Sequence, residues 1–178
     1  MVYETIMIFQ ITQRNDYKIM IASSPLKKIY RQMKKYKDLE CVLLVDDDIS
    51  TNFIHRRIVE NAKINVAVKE ITSAEEALDY LTYSGKYKNA EPVPKTGIIF
   101  LDINMPGMNG WDFIAEYRKL DERHKARIVV VMLTTSLNPD DEEHAAKLKE
   151  IATYLHKPLN IEAFANIADT YFEELKEN

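Results

Sequence analysis

Cys41–Val45 (CVLLV) is apolar at every position. A strand with no polar face is one covered on both sides, the situation of a parallel sheet held between two layers of helices. The run Gly97-Ile98-Ile99-Phe100-Leu101 repeats the pattern, then stops at a single carboxylate, Asp102, and enters the Pro/Gly-rich loop INMPGMNG. Such a run reads as a buried strand delivering a side chain to its own C-terminal edge. Arg127–Leu133 (RIVVVML) is the most hydrophobic strand candidate; Asn65–Lys69 and Ile151–His156 are shorter ones.

Helical stretches alternate with these strands. Phe53, Ile54, Ile58 and Ala62 fall at helix spacing after the first strand. Ser73 is placed to cap the next helix, and Glu76 to complete a capping box around Ala77, Leu78, Tyr80 and Leu81. A third helix spans about Gly110 to Leu120. Asn138-Pro139 opens a fourth, with Asp140, Asp141, Glu142 and Glu143 favouring its positive end. Residues 160–176 form an amphipathic fifth helix. Residues 84–97, with two prolines, read as an exposed polar connection. Five strands alternating with five helices imply a doubly wound α/β fold with right-handed crossovers.

The 178 residues suit one domain plus an extension. Residues 1–40 hold eight Lys/Arg against four Asp/Glu, a charge of +4; the other 138 hold sixteen against twenty-four, a charge of −8. The acidic part is a poor non-specific nucleic-acid binder. The basic part lies outside the α/β pattern: two short strands around Arg14-Asn15-Asp16, then Leu26, Ile29, Tyr30 and Met33 at helix spacing among lysines. It is expected to be an N-terminal extension, disordered or an upstream start, with residues 41–178 the main domain and Met33 an equally natural beginning for it. Cys41 is the only cysteine, which excludes an intrachain disulfide and a multi-cysteine metal site. No apolar run is long enough to span a bilayer and the N-terminus lacks a basic n-region, so the expected location is cytoplasmic.

In a parallel sheet the strand ends lie side by side. Asp46-Asp47-Asp48 follow the first strand, Asp102 the third, Thr134-Thr135-Ser136 the fourth and Lys157-Pro158 the fifth. Clustered carboxylates repel one another. A divalent cation relieves that, and an all-oxygen site suits Mg²⁺. A carboxylate facing a metal, a hydroxyl and a lysine is well placed to attack a phosphoryl group.

These residues, in this order and spacing, resemble the receiver domains of two-component response regulators over about residues 40–176. The resemblance implies a flavodoxin-like sheet of order 2-1-3-4-5. It implies Asp102 as phospho-acceptor, and Mg²⁺ held by the carboxylates of Asp47 and Asp102 and the backbone carbonyl of Asn104, with Asp46 acting through water. Thr134 would hydrogen-bond the phosphoryl group, Lys157 would pair with it across a cis bond to Pro158, and Thr135 would govern access. Tyr154 occupies the aromatic switch position, with its ring outward at rest and inward when Thr134 moves. His55 and His156 lack the setting of a phospho-relay histidine. The implied donor is a sensor histidine kinase or phosphotransfer protein.

The chain ends with its last helix, so no DNA-binding output domain is expected, and output would be protein contact or phosphorelay to a downstream target. Homodimerisation through the fourth-to-fifth-helix face stays open. The long connection and VVVMLTTSLNPDD look most like small stand-alone receivers paired with phytochromes or hybrid kinases. No enzymatic turnover beyond self-phosphorylation and self-dephosphorylation is implied. Two alternatives compete. A hydrolase of the haloacid dehalogenase type needs a second carboxylate two positions after the nucleophile, where this chain has Asn104. A never-phosphorylated binding module usually loses one of the acids or the lysine, and all are present here.

Overall fold

A computed structural model describes residues 33–88, 97–125 and 128–176. The strands are β1 (Cys41–Val45), β2 (Ala67–Ile71), β3 (Gly97–Leu101), β4 (Ile128–Thr134) and β5 (Ile151–His156). They form one parallel sheet in the order β2-β1-β3-β4-β5. The helices are α1 (Ile49–Asn61), α2 (Ala74–Thr82), α3 (Gly110–Tyr117), α4 (Glu122–Lys125), α5 (Pro139–Ala146) and α6 (Ile161–Tyr171). The four-residue α4 is an element that periodicity did not predict. Among the described residues no helix is long and apolar enough to cross a membrane.

Strand parity builds two cores. Leu43, Val45, Ile99, Leu101, Val130 and Met132 pack with α2 and α3, whereas Val42, Leu44, Ile98, Phe100, Val131 and Leu133 pack with α1 and α6. The fully apolar β1 and β3 run through both cores, and Val45 pairs with Leu101 in register. The next residue on each strand is an aspartate, which puts Asp46 beside Asp102 at the C-terminal edge.

Several expectations are corrected. The face of α1 read as apolar is split: Ile58 and Ala62 pack partly buried on the core, but Phe53 and Ile54 are 60% and 53% exposed, and the buried residues are Asn52, His55 and Val59. Strand β2 runs two residues later than expected, because as an edge strand it tolerates Lys69 and Glu70, the latter paired with Arg56 at 3.0 Å. Ser73 caps α2, but Glu76 turns to the Tyr87 hydroxyl (2.6 Å) and Lys86 (2.9 Å) instead of closing a capping box. Part of the connection after α2 is ordered: Gly85–Tyr87 forms a 3-10 turn with Tyr87 buried. Residues 89–96 lie outside the described residues.

Helix α6 stops at Tyr171 because the chain turns extended at Phe172. Glu174 then bridges antiparallel to Tyr36, and Lys34 bridges parallel to Ile64. Tyr36 and Leu39 are core residues, so the described residues ahead of β1 pack with the sheet. The strands and helix expected within residues 1–32 lie outside the described residues.

Candidate phosphoryl-acceptor site

The loops at the sheet edge are set by local rules. Asp48 is the N-cap of α1, accepting from Ser50 N and from the Thr51 hydroxyl (2.7 Å), so it turns away from the pocket. After Asp102, Gly107 takes φ +75, a conformation that favours glycine, and Asn109 with Asp112 forms a full capping box on α3. A Cβ at Gly110 would lie 2.5 Å from the Asp102 carbonyl oxygen, so only glycine lets α3 start this close to the end of β3. Glu75 of α2 accepts from Met108 N at 3.1 Å and steadies this loop from outside.

Carboxylate oxygens of Asp46, Asp47 and Asp102 lie within 4.8 Å of one another. Asp46 and Asp102 are buried, while Asp47 faces solvent. Lys157 Nζ sits 2.6 Å from Asp46 Oδ2 and 3.1 Å from Asp102 Oδ1. The second contact is an ion pair without hydrogen-bond alignment, and Asp102 Oδ1 has no hydrogen-bond partner among the described residues. Burial pushes the Asp102 carboxyl above its ordinary range and outweighs the opposing pull of Lys157. One ammonium thus pairs with both buried carboxylates, and Asp47 adds a third negative charge beside them.

Thr134, fully buried, accepts from Ser136 N through Oγ1 (3.1 Å), and its carbonyl accepts from Lys157 N (2.9 Å). The Lys157-Pro158 bond is cis. Thr135 and Asn104 are exposed at the mouth. Tyr154 lies on β5, next to the fourth strand's Met132 in register. Its ring packs half-buried on the core and its hydroxyl is buried without a hydrogen-bond partner among the described residues. His156 is exposed and stands edge-on to that ring.

Asn52 and His55 escaped sequence reasoning as part of this region. Asn52 Nδ2 donates to the carbonyls of Asp46 (2.8 Å) and Ile71 (3.2 Å), tying the ends of β1 and β2 together. Asn52, His55, Asp46 and Asp102 are all buried and close around one tightly packed spot at the strand ends. Their signal was present in part: residues 52, 55 and 59 share a helix face, but two of the three are polar.

The model of the response regulator receiver domain matches residues 42–169. A two-component response regulator from Cytophaga hutchinsonii is 31% identical and superposes with a TM-score of 0.64 over 76% of this chain and 98% of its own. Response regulator Rcp1 of Synechocystis is 29% identical over 120 residues, covering 67% of this chain and 78% of Rcp1. The solved Mn²⁺-bound form of Rcp1 gives a TM-score of 0.62 over 78% of this chain and 99% of that one. The phosphorylated cyanobacterial phytochrome response regulator RcpA is 28% identical, with a TM-score of 0.60 over 75% of this chain and 94% of its own.

Proposed function

This chain belongs to the response regulator receiver domain family, and from that premise we propose that Asp102 is its phospho-acceptor, charged by the phosphohistidine of a sensor kinase or phosphotransfer protein. Receiver domains are signalling modules, not turnover enzymes. The observation that carries the reading is Asp102 itself: a buried carboxylate at a strand end, clustered with two others, with one oxygen unclaimed by any hydrogen-bond donor among the described residues.

The donor set fits a small hard dication, being all oxygen and rich in charge. Asp47 and Asp102 would hold Mg²⁺ through carboxylates and Asn104 through its carbonyl, with Asp46 acting through water. Bound there, Mg²⁺ supplies positive charge against the carboxylates and the phosphoryl oxygens. The Mn²⁺-bound relative supports this.

In the transfer, an Asp102 oxygen forms a bond to phosphorus while the P–N bond of the donor phosphohistidine breaks and its electron pair returns to the imidazole. Lys157 moves its charge from the carboxylates to the phosphoryl oxygens. Thr134 keeps its hydrogen free to donate to one of them, because Oγ1 only accepts from Ser136 N. Thr135 governs access from the mouth. The acyl phosphate biases Thr134, Tyr154 and the α5–β5–α6 face between two states, which a protein target or a further phosphotransfer partner reads. Exposed Ile49, Phe53 and Ile54 offer the donor an apolar landing place beside the pocket.

The test is incubation with acetyl phosphate and Mg²⁺ followed by intact-mass measurement. A single phosphoryl adduct on the wild type, absent from Asp102→Asn, is the expected result. No adduct on the wild type would leave only a receiver-like binding module.

A further inference from the structure

We infer that His55 is a positioning residue for Lys157, acting through the buried amide of Leu159; this rests on the role proposed above for Lys157. His55 lies on the sheet-facing stripe of α1, one turn before Val59, where an aliphatic side chain would be ordinary. It is only 3% exposed. Its Nε2 accepts from Leu159 N at 3.3 Å. Burial pushes the imidazole below its ordinary pKa, which keeps it neutral and leaves that nitrogen free to accept.

The acceptor matters because of what the neighbouring backbone can offer. Lys157 N donates to the Thr134 carbonyl at 2.9 Å. Pro158 has no N–H. Leu159, 2% exposed, carries the next donor, and His55 takes it. The segment that delivers the ammonium is therefore pinned at two points, one on β4 and one on α1. Between them Lys157 Nζ holds 2.6 Å and 3.1 Å contacts to Asp46 and Asp102. A lysine side chain is a flexible stem, so its reach is set by where its backbone is held. Small displacements of a charge at a reacting centre have large kinetic effects. His55 is packed in the same buried region as Asp46 and Asp102.

The experiment is a double-mutant cycle on the full chain, reading the rate of phosphorylation by acetyl phosphate with Mg²⁺. His55→Met keeps the volume and removes the strong acceptor; it should slow phosphorylation about tenfold. His55→Gln offers an amide oxygen at similar reach and should recover to within about threefold of wild type. In a Lys157→Ala background, His55→Met should add no further slowing. Equal slowing in both backgrounds, or a Gln variant as slow as the Met variant, overturns the inference. If Lys157→Ala phosphorylates at the wild-type rate, the role of Lys157 fails and takes this inference with it. A slow Lys157→Ala chain with an undiminished His55→Met effect sinks the inference alone. Should His55→Met fail to fold, His55→Asn, whose shorter amide cannot reach Leu159, takes its place in the cycle.

Discussion

Two clusters in this molecule are built from the same kinds of side chain and behave in opposite ways. In the clasp that joins the start of the domain to its end, Lys34 lies 3.2 Å from Asp169 and 3.3 Å from Glu174, and the Tyr36 hydroxyl donates to Asp169. The charged groups there are close to half exposed, and the Tyr36 hydrogen bond, helped by Lys34, holds the Asp169 carboxyl below its usual range. In the pocket, Lys157 also faces carboxylates, but there are three, two of them buried, and Asp102 is pushed the other way by burial. The clasp sets one ammonium against two carboxylates, but all three are close to half exposed and water screens the difference. The pocket is short of positive charge and dry, the condition in which a cation or a phosphoryl group finds work to do.

The largest contrast should come from removing each lysine. Without added metal, Lys157→Met strands two buried carboxylates and should cost about 3 kcal/mol of stability in urea unfolding. Lys34→Met should leave the unfolding midpoint almost unchanged, since exposed pairs are screened. A larger loss at Lys34 would reverse the comparison. Next in size is the response to metal. At ten times its dissociation constant Mg²⁺ should raise the melting temperature by about 3–5 °C. That shift should vanish in Asp47→Ala and persist in Asp169→Asn; persistence in Asp47→Ala would break the assignment of the metal site.

The pocket was legible because its residues sit where apolar runs end. CVLLV and GIIFL read as doubly covered strands, which brings Asp46 and Asp102 to one edge, and the parallel neighbours β4 and β5 bring Thr134 and Lys157 to the same edge. The clasp was illegible because nothing local signals it: Tyr36 and Glu174 are far apart in sequence, and helix periodicity runs on past Tyr171, where the chain leaves to pair. Helix α1 misled for a related reason. Its apolar residues Phe53 and Ile54, at helix spacing with Ile58 and Ala62, look like a core face. The true inward face carries Asn52 and His55, because the carbonyls at the ends of β1 and β2 accept from Asn52 Nδ2 and the Leu159 amide donates to His55.

The smallest and most discriminating contrast is in pH. A carboxyl whose pKa is raised on folding binds its proton more tightly when folded, so its contribution to stability falls as pH rises above the ordinary carboxylate value of about 4. Asp102 is of this kind in the metal-free protein. Asp102→Asn should therefore be more stable than wild type at pH 7, and the gain should fade on acidification towards pH ~4. Asp169 is the reverse: a depressed pKa gives stability that is present above the ordinary value and lost as pH falls through it. Asp169→Asn should lose slightly at pH 7, with the loss fading in acid. Urea unfolding of both variants against wild type over this range should yield difference curves of opposite sign. Curves of the same sign would mean that burial does not separate the two clusters, and the case for a charge-hungry pocket around Asp102 would lose its physical basis.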